Sequence, residues 1–568
     1  MYDLIIRNGT VVDGSGMPRY RADVAISGDR IAAIGRIHEK GREEIDATGQ
    51  VVSPGFIDGH THMDAQVFWD PLGSCACWHG ITSVVMGNCG FTLAPGSDAQ
   101  RALILKNIID AEDIPAPVIE AAVRWNWTSF RDYMGVLDTL PKAINYSLHI
   151  GHSALRTHVM GERAFGEQAR ADDMQAMEKQ LLDALDAGAV GFSTSVNEGH
   201  RTPDGGHVAS YHAAWDEVRQ LVNTVGKHGR GHFEIARETD ARSPDPAKRA
   251  AVDNRLMELA VESGVPTSFG VPPGGFGAKS QLDLLDATAA AGGRMFGQTH
   301  PRGVSHILSF RSRTQFDNLP AWKKFRAQPL EAQRKDLADP SCRQRLVDEA
   351  WKGQYTTAAG QPRKPDFDNM YVVKTPMGNN QTVGQIAKER NKDPVETMLD
   401  LALETDFHQL FMQFDARSRP ANDAETLRAL RHPRTVMTFS DSGAHVNLIM
   451  DTSIHTHLLA WWVREKQEFT LEEGVRMITM TPAMTWGFAG RGLVREGYIA
   501  DLNIFDPATI APGMPQVVSD LPTGAQRLKQ KSIGLMATVI GGKKTFVNGE
   551  HTGALAGRLL RSGTAGIQ

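Results

Sequence analysis

The rhythm of apolar and polar positions changes twice along the chain. From residue 2 to about 52, short apolar runs alternate with turn residues in YDLIIRNGTVVDG, ADVAISGDRIAAIG and EEIDATGQVVSPG. Such a pattern predicts strands, and Ser27-Gly28-Asp29 between two of them predicts a hairpin turn. From about 54 to 480, short apolar segments (ITSVVMG, INYSLHIG, AVGFSTS, TVMTFSD) alternate with stretches of helical period. ADDMQAMEKQLLDALDAG and AVDNRLMELAVESG are two of these, each closed by the glycine that commonly ends a helix. Strand–helix alternation over roughly 400 residues predicts a parallel α/β architecture, either a barrel or a doubly wound sheet. No G-x-G-x-x-G follows a strand, which removes the support for a dinucleotide fold.

After about residue 485 the strand texture returns in YIADLNIFDP and IGLMATVIGGKKTFVNGE. The two ends are expected to pair into one small β domain, from residues 1–53 and 485–568, around a central α/β region, 54–484. Residues from about 304 to 415 are polar and helix-prone, and read as an elaborated connection before the last strand of that region.

Composition narrows the function. The chain has 568 residues, 41% apolar and 22% charged, with 61 basic and 66 acidic residues and a formal net charge of −5. That balance fits a globular protein and offers no basic stripe for a nucleic acid. Lys323-Lys324-Phe325-Arg326 is short enough to be a solvated helix face. No apolar run approaches the ~18 residues of a membrane span, and MYDLIIRNGTVVDG lacks the layout of a signal peptide. A cytoplasmic location, without a nucleic-acid or membrane partner, is the resulting expectation. Four cysteines in so long a chain do not make a disulfide framework.

The chemistry concentrates at strand ends. In VVSPGFIDGHTHMD an apolar strand runs into His60-Thr61-His62. Residues two apart on a strand face the same way, so both imidazoles can reach one ion. H-x-H alone is a weak pattern that surface histidines often satisfy. Its place at the C-terminal end of the first strand of an α/β region, where barrel active sites form, favours metal ligation. Cys89 follows the next strand in ITSVVMGNCGF and reads either as a buried small side chain or as a thiolate ligand. Asp441 closes TVMTFSDSGAH and reads either as a helix N-cap or as a ligand that moves a proton. His455-Thr456-His457 repeats the spacing in a helical context, where the two rings diverge, and is not expected to form a second site.

PGFIDGHTHMD, GNCGFTLAP, HIGHSALRTHVMG, GAVGFSTS, FSDSGAH and GYIADLNIFDP together resemble the amidohydrolase superfamily. More narrowly, the chain resembles the N-acyl-D-amino-acid deacylase group, with the GNC motif as the specific part. The resemblance is firm over the first 200 residues and from 435 to 510, and loose between about 265 and 420. It implies a TIM-like (β/α)8 barrel carried on a small β domain, and amide hydrolysis by metal-activated water. It further implies that His60 and His62 are a ligand pair, that Cys89 is the cysteine able to bridge two metals, and that Asp441 is both ligand and proton carrier.

Two departures stand out. The family's fifth-strand histidine ligand aligns with Glu234 in GRGHFEIARE, with His232 two residues earlier on the same face as the alternative. The sixth strand, VPTSFGVPP, offers Thr267 and Ser268 but no histidine, and His300 in MFGQTHPRG is the candidate substitute. The arginine that holds the substrate carboxylate after the last-strand aspartate is also missing, since none occurs before Arg464, and Arg302 is the candidate replacement. His152 and Ser193 match family motifs and are expected on the pocket wall or behind it, with His152, His300 and Arg302 as the candidate substrate-binding residues. The expected enzyme therefore binds one ion tightly, zinc by its ligand types, and as a homo-oligomer hydrolyses the amide C–N bond of a small-molecule substrate. Without the arginine, N-acetyl-D-amino acids are expected to be poor substrates. The alternatives are a hydrolase of a cyclic amide, lactone or carbamate on the same site, or a non-enzymatic scaffold.

Overall fold

The computed structural model describes all residues except 275–277, 356–363, 416–418, 420–421 and 563–568. Both chain ends meet in one nine-stranded sheet, in which Leu502–Phe505 runs antiparallel to Val51–Pro54. On one side of this joint lie Tyr2–Val11, Tyr20–Ser27 and Arg30–Gly35, and on the other Leu535–Ile540, Lys543–Val547 and Glu550–His551. Alternate apolar residues from both ends, among them Leu4, Ile6, Val24, Val52, Ile504 and Val539, close over one core. The predicted hairpin forms at Gly28-Asp29, with Ser27 paired to Arg30.

Eight parallel strand positions follow. The first is Phe56–Asp58 continued by His60–Thr61; the second is Ile81–Met86; the third is Asn145–Leu148 continued by Ile150–Gly151. Gly191–Ser195, His232–Ala236, Thr267–Gly270 and Met295–Thr299 are the fourth to seventh, and Thr435–Met437 with Phe439–Ser442 is the eighth. Each pairs in parallel with the next. The eighth then pairs with the first, Phe439 opposite His60, so the ring closes as a barrel instead of leaving the two free edges of a doubly wound sheet. The strands read as continuous apolar runs because both faces are covered, by side chains inside and helices outside. Helix Ala171–Ala187 shows the outer layer: Met177, Leu181, Ala184 and Leu185 are buried, and Gly188 at φ +104° ends it.

The connection between the seventh and eighth strands has more structure than its polar sequence suggests. Ser305–Ser309, Leu410–Phe414 and Met370–Val373 form an antiparallel three-stranded sheet packed with five helices. Trp322, Phe310, Phe316, Phe407 and Phe411 sit in a separate core there. Among the described residues no helix is long and apolar enough to cross a membrane, and all four cysteines are free and buried.

Candidate metal centre

The first strand ends with both histidines buried, His60 at 1% and His62 at 4% side-chain exposure. His60 Nδ1 is bonded to Gln298 Oε1, and the Gln298 amide donates to Ser268 Oγ at 2.9 Å. With Nδ1 acting as the donor, the lone pair of Nε2 is left facing the barrel mouth, the tautomer a metal ligand needs. The eighth strand brings Asp441 to it. His60 Nε2 lies 3.2 Å and His62 Nε2 3.6 Å from Asp441 Oδ1. Asp441 has φ +52°, and no helix starts until Asp451, so the reading of Asp441 as an N-cap is set aside. The turn after it is tight: His62 N–H donates to Ser442 O at 2.7 Å, and a Cβ on Gly443 would come within 2.5 Å of the His62 carbonyl oxygen.

Cys89 is held in a turn of left-handed residues, Gly87 (φ +71°), Cys89 (φ +56°) and Gly90 (φ +79°). The Ser193 hydroxyl braces that turn, donating to Gly87 O at 2.5 Å and accepting from Gly90 N–H at 3.0 Å. Cys89 Sγ is 3.5 Å from His60 Nε2, and its backbone N–H donates to Glu234 Oε2 at 2.6 Å. Nitrogen and oxygen ligands at about 2.0–2.1 Å from a tetrahedral ion stand about 3.3 Å apart, and a thiolate slightly farther. The separations His60–Asp441, His62–Asp441 and Cys89–His60 lie near that spacing, and the ligand atoms of His60, His62 and Cys89 all lie within 4.8 Å of one another.

These side chains form the floor of a cavity of about 400 Å³. Three of the groups that complete it were not singled out in the sequence. Glu112, on the segment after helix Arg101–Ile108, places Oε2 at 3.5 Å from His62 Nε2. His445, at φ +46°, lines the wall. Arg237, three residues past Glu234, also lines it; its Nη1 is buried and unpartnered, while Nη2 is ion-paired with Asp253. Arg237 follows Glu234 in the quoted fifth-strand segment, and an arginine near a ligand-bearing strand end was the available clue. Glu112 lies in a loop with no motif.

Other expected residues are placed elsewhere. Of the fifth-strand pair, Glu234 reaches the cavity, whereas His232 lies deeper, with Nδ1 at 3.0 Å from His149 Nε2 and its ring against Phe296. His152 is a correction: its ring is fully buried between Thr194 Oγ1 (2.8 Å) and Glu217 Oε1 (2.9 Å), and Glu217 also binds Arg156. It faces the outer helices and not the cavity. His300 and Arg302 are corrected in the same way. Both turn to Asp451, at 3.4 and 2.8 Å, and Arg302 also donates to Ser453 Oγ at 3.2 Å. Asp451 spends them structurally. His455 donates to Ile57 O at 3.1 Å within the core.

Electrostatics set the centre apart. Burial lowers His60 to about 4 and His62 to about 3, so both are neutral at neutral pH. Burial pushes Glu234 up to about 8 and Asp64 up to about 7, and raises Glu112 well above the carboxylate range. Among the described residues no lysine or arginine pairs with Asp58, Asp64, Glu112, Glu234 or Asp441. One oxygen each of Asp58, Asp64 and Glu234 is buried without a partner. So many uncompensated buried acids beside neutral imidazoles suit a bound cation.

Residues 43–546 match the model of the amidohydrolase family. N-acyl-D-aspartate deacylase of Alcaligenes xylosoxydans xylosoxydans is 28% identical over 568 residues, 99% of this chain and 96% of its own. N-acyl-D-glutamate deacylase of the same organism is 28% identical over 98% of this chain and 96% of its own. A solved structure of D-aminoacylase, titled for its binuclear metal centre with one-metal activation and second-metal attenuation, has a TM-score of 0.64 at 25% identity. It covers 99% of this chain and 100% of that one.

Proposed function

The chain belongs to the amidohydrolase family, and from that premise we propose that it hydrolyses the amide bond of N-acyl amino acids with one zinc ion at His60 and His62. The observation that carries this reading is the convergence of two neutral imidazoles and the Asp441 carboxylate, 3.2 and 3.6 Å apart, on the floor of a cavity. The ion, when bound, supplies a lowered pKa for water and polarises the amide carbonyl.

The chain's own residues do the rest. Asp441 is the most open of the three, with 22% side-chain exposure, and sits where it can take a proton from the attacking water. It returns that proton to the departing nitrogen. Gln298 holds the His60 ring in register, and Phe439, with its ring centroid 4.4 Å from that of His60, walls the site on the eighth-strand side. Cys89 and Glu234 adjoin the ion's position, but Ser268, on the sixth strand, is already used as an acceptor by Gln298. A second ion there would have two ligands, which supports a single tight site. Arg237 lines the cavity, with Nη2 ion-paired to Asp253 and a buried Nη1 without a partner, and is the cation on that wall for a substrate carboxylate. With this cation in place, the missing arginine after Asp441 no longer argues against N-acetyl-D-amino acids.

The test is a panel of N-acyl-D- and N-acyl-L-amino acids, a hydantoin, a lactone and a carbamate, run on zinc-loaded and chelator-stripped enzyme. The expected result is hydrolysis of N-acyl amino acids that disappears on stripping and returns with zinc. Turnover confined to the hydantoin, lactone or carbamate would move the reading to a different bond.

A further inference from the structure

Glu112 has no counterpart among the motifs that mark this site, yet the fold delivers it there by several independent devices. Helix Arg101–Ile108 winds on past its end, with Glu112 N–H donating to Ile108 O at 2.9 Å. Asp113 then takes φ +53°, which turns the chain away and leaves Glu112 at the tip. Two clamps fix the tip. The backbone N–H of His445, four residues past Asp441, donates to Glu112 O at 2.7 Å. Asp113 is ion-paired with Arg313, which belongs to the connection between the seventh and eighth strands. Both the barrel and the added subregion therefore hold this one residue.

What they hold is a carboxylate with almost no contact with water. Glu112 is 3% exposed, and among the described residues the one group at ion-pair distance from it is His62 Nε2, at 3.5 Å. Its other charged neighbours are acids: Asp441, Asp64, Glu234 and Asp113. A distance of 3.5 Å is long for a hydrogen bond, which for N–H···O falls near 2.9 Å. It fits two ligands sharing one ion. His62 Nε2 stands 3.6 Å from Asp441 Oδ1 in the same manner, so one imidazole faces two carboxylates and bonds to neither.

We propose that Glu112 is a ligand of the metal ion, making with His60 and His62 a two-histidine, one-carboxylate set that frees Asp441 to carry the proton. The inference rests on the metal-dependent reading above and adds the division of labour between the two carboxylates. Two histidines and a glutamate are an established catalytic zinc set that leaves a position open for water. Asp441, the more exposed of the two carboxylates, is then not needed to retain the ion.

The experiment measures zinc affinity by competition with a chromophoric chelator for wild type, Glu112→Gln, Glu112→Asp and Asp441→Asn, with the visible spectrum of each cobalt-substituted protein alongside. Circular dichroism checks the fold. The expected result is an affinity lower by about tenfold to a hundredfold in Glu112→Gln, partial recovery in Glu112→Asp and a changed cobalt spectrum in both. Asp441→Asn keeps zinc affinity within about threefold and loses turnover. Wild-type affinity and an unchanged cobalt spectrum in folded Glu112→Gln would overturn the assignment, as would zinc loss confined to Asp441→Asn. If Glu112→Gln does not fold, Glu112→Asp decides, since wild-type affinity and an unchanged cobalt spectrum in that folded variant also overturn it. A wild type that binds zinc through Glu112 but hydrolyses no amide leaves this assignment intact and removes the proposed function instead.

Discussion

Two parts of the barrel mouth carry buried histidines beside acidic groups, and only one of them is chemically unfinished. On the first, second and eighth strands, His60 Nε2, His62 Nε2, Cys89 Sγ and the Asp441 carboxylate converge at spacings of 3.2 to 3.6 Å. Those distances suit a shared ion better than they suit bonds with one another. Around the third and seventh strands, His152 meets Glu217 at 2.9 Å and Arg302 meets Asp451 at 2.8 Å, ordinary bonding distances, with His300 3.4 Å from the same Asp451 carboxylate. The residue types are the same. What separates a catalytic from a structural histidine here is whether its partners are already inside the protein.

Removing one group from each side sharpens the contrast. The largest effect is expected at Asp451, because loss of one partner of a buried ion pair strands the others at a cost of about 3–5 kcal/mol. Asp451→Asn should lower the denaturant midpoint sharply and leave zinc content unchanged. Loss of zinc with unaltered stability would erase the distinction between the two sides.

Asp441→Asn should do the opposite. Turnover is expected to fall on the order of a hundredfold or more, about 3 kcal/mol in the barrier, with stability and metal content near wild type. Near-native turnover with native metal content would mean that another group moves the proton.

The structural side should also show in the acid limb of stability. Burial raises the Asp451 carboxyl, but His300 and Arg302 outweigh that and hold it at about 2, below the usual aspartate value. A carboxyl depressed on folding stabilises above its unfolded value, and that stabilisation is lost as pH falls from about 4 through 2. The contribution is of order 2 kcal/mol, and Asp451→Asn should lose this segment of the pH dependence. An identical acid profile in wild type and variant would contradict the pairing.

The smallest effect is expected at Arg237. A charge-assisted hydrogen bond is worth about 1.5–3 kcal/mol, so Arg237→Ala should raise KM for an N-acyl amino acid at least tenfold. The corresponding N-acyl amine, without a carboxylate, should respond little. Equal losses for both substrates would make Arg237 a brace for Asp253 alone.

Much of this contrast was legible in the chain, and the part that was not has a physical reason. His60 and His62 are local: strand geometry alone puts them on one face. The barrel and the end sheet follow from periods of hydrophobicity that each segment carries by itself. Whether a histidine is spent depends on partners far away, as with His300 and Asp451, and no pattern near residue 300 announces residue 451. Glu112 and Gln298 were missed for the same reason, since their role exists only after the ring closes. The antiparallel sheet of Ser305–Ser309, Leu410–Phe414 and Met370–Val373 escaped because its pairings join residues about 40 to 110 apart within polar, helix-rich sequence.

The central claim is that the first-strand histidines, with the carboxylates beside them, hold one ion while the fifth and sixth strands hold none of their own. Titration of the metal-free enzyme with zinc, following amide hydrolysis and bound metal together, tests it most directly. Saturation of both signals at one equivalent is the predicted result. A second high-affinity step that disappears in Glu234→Ala would contradict it, and would place another ion beside Cys89.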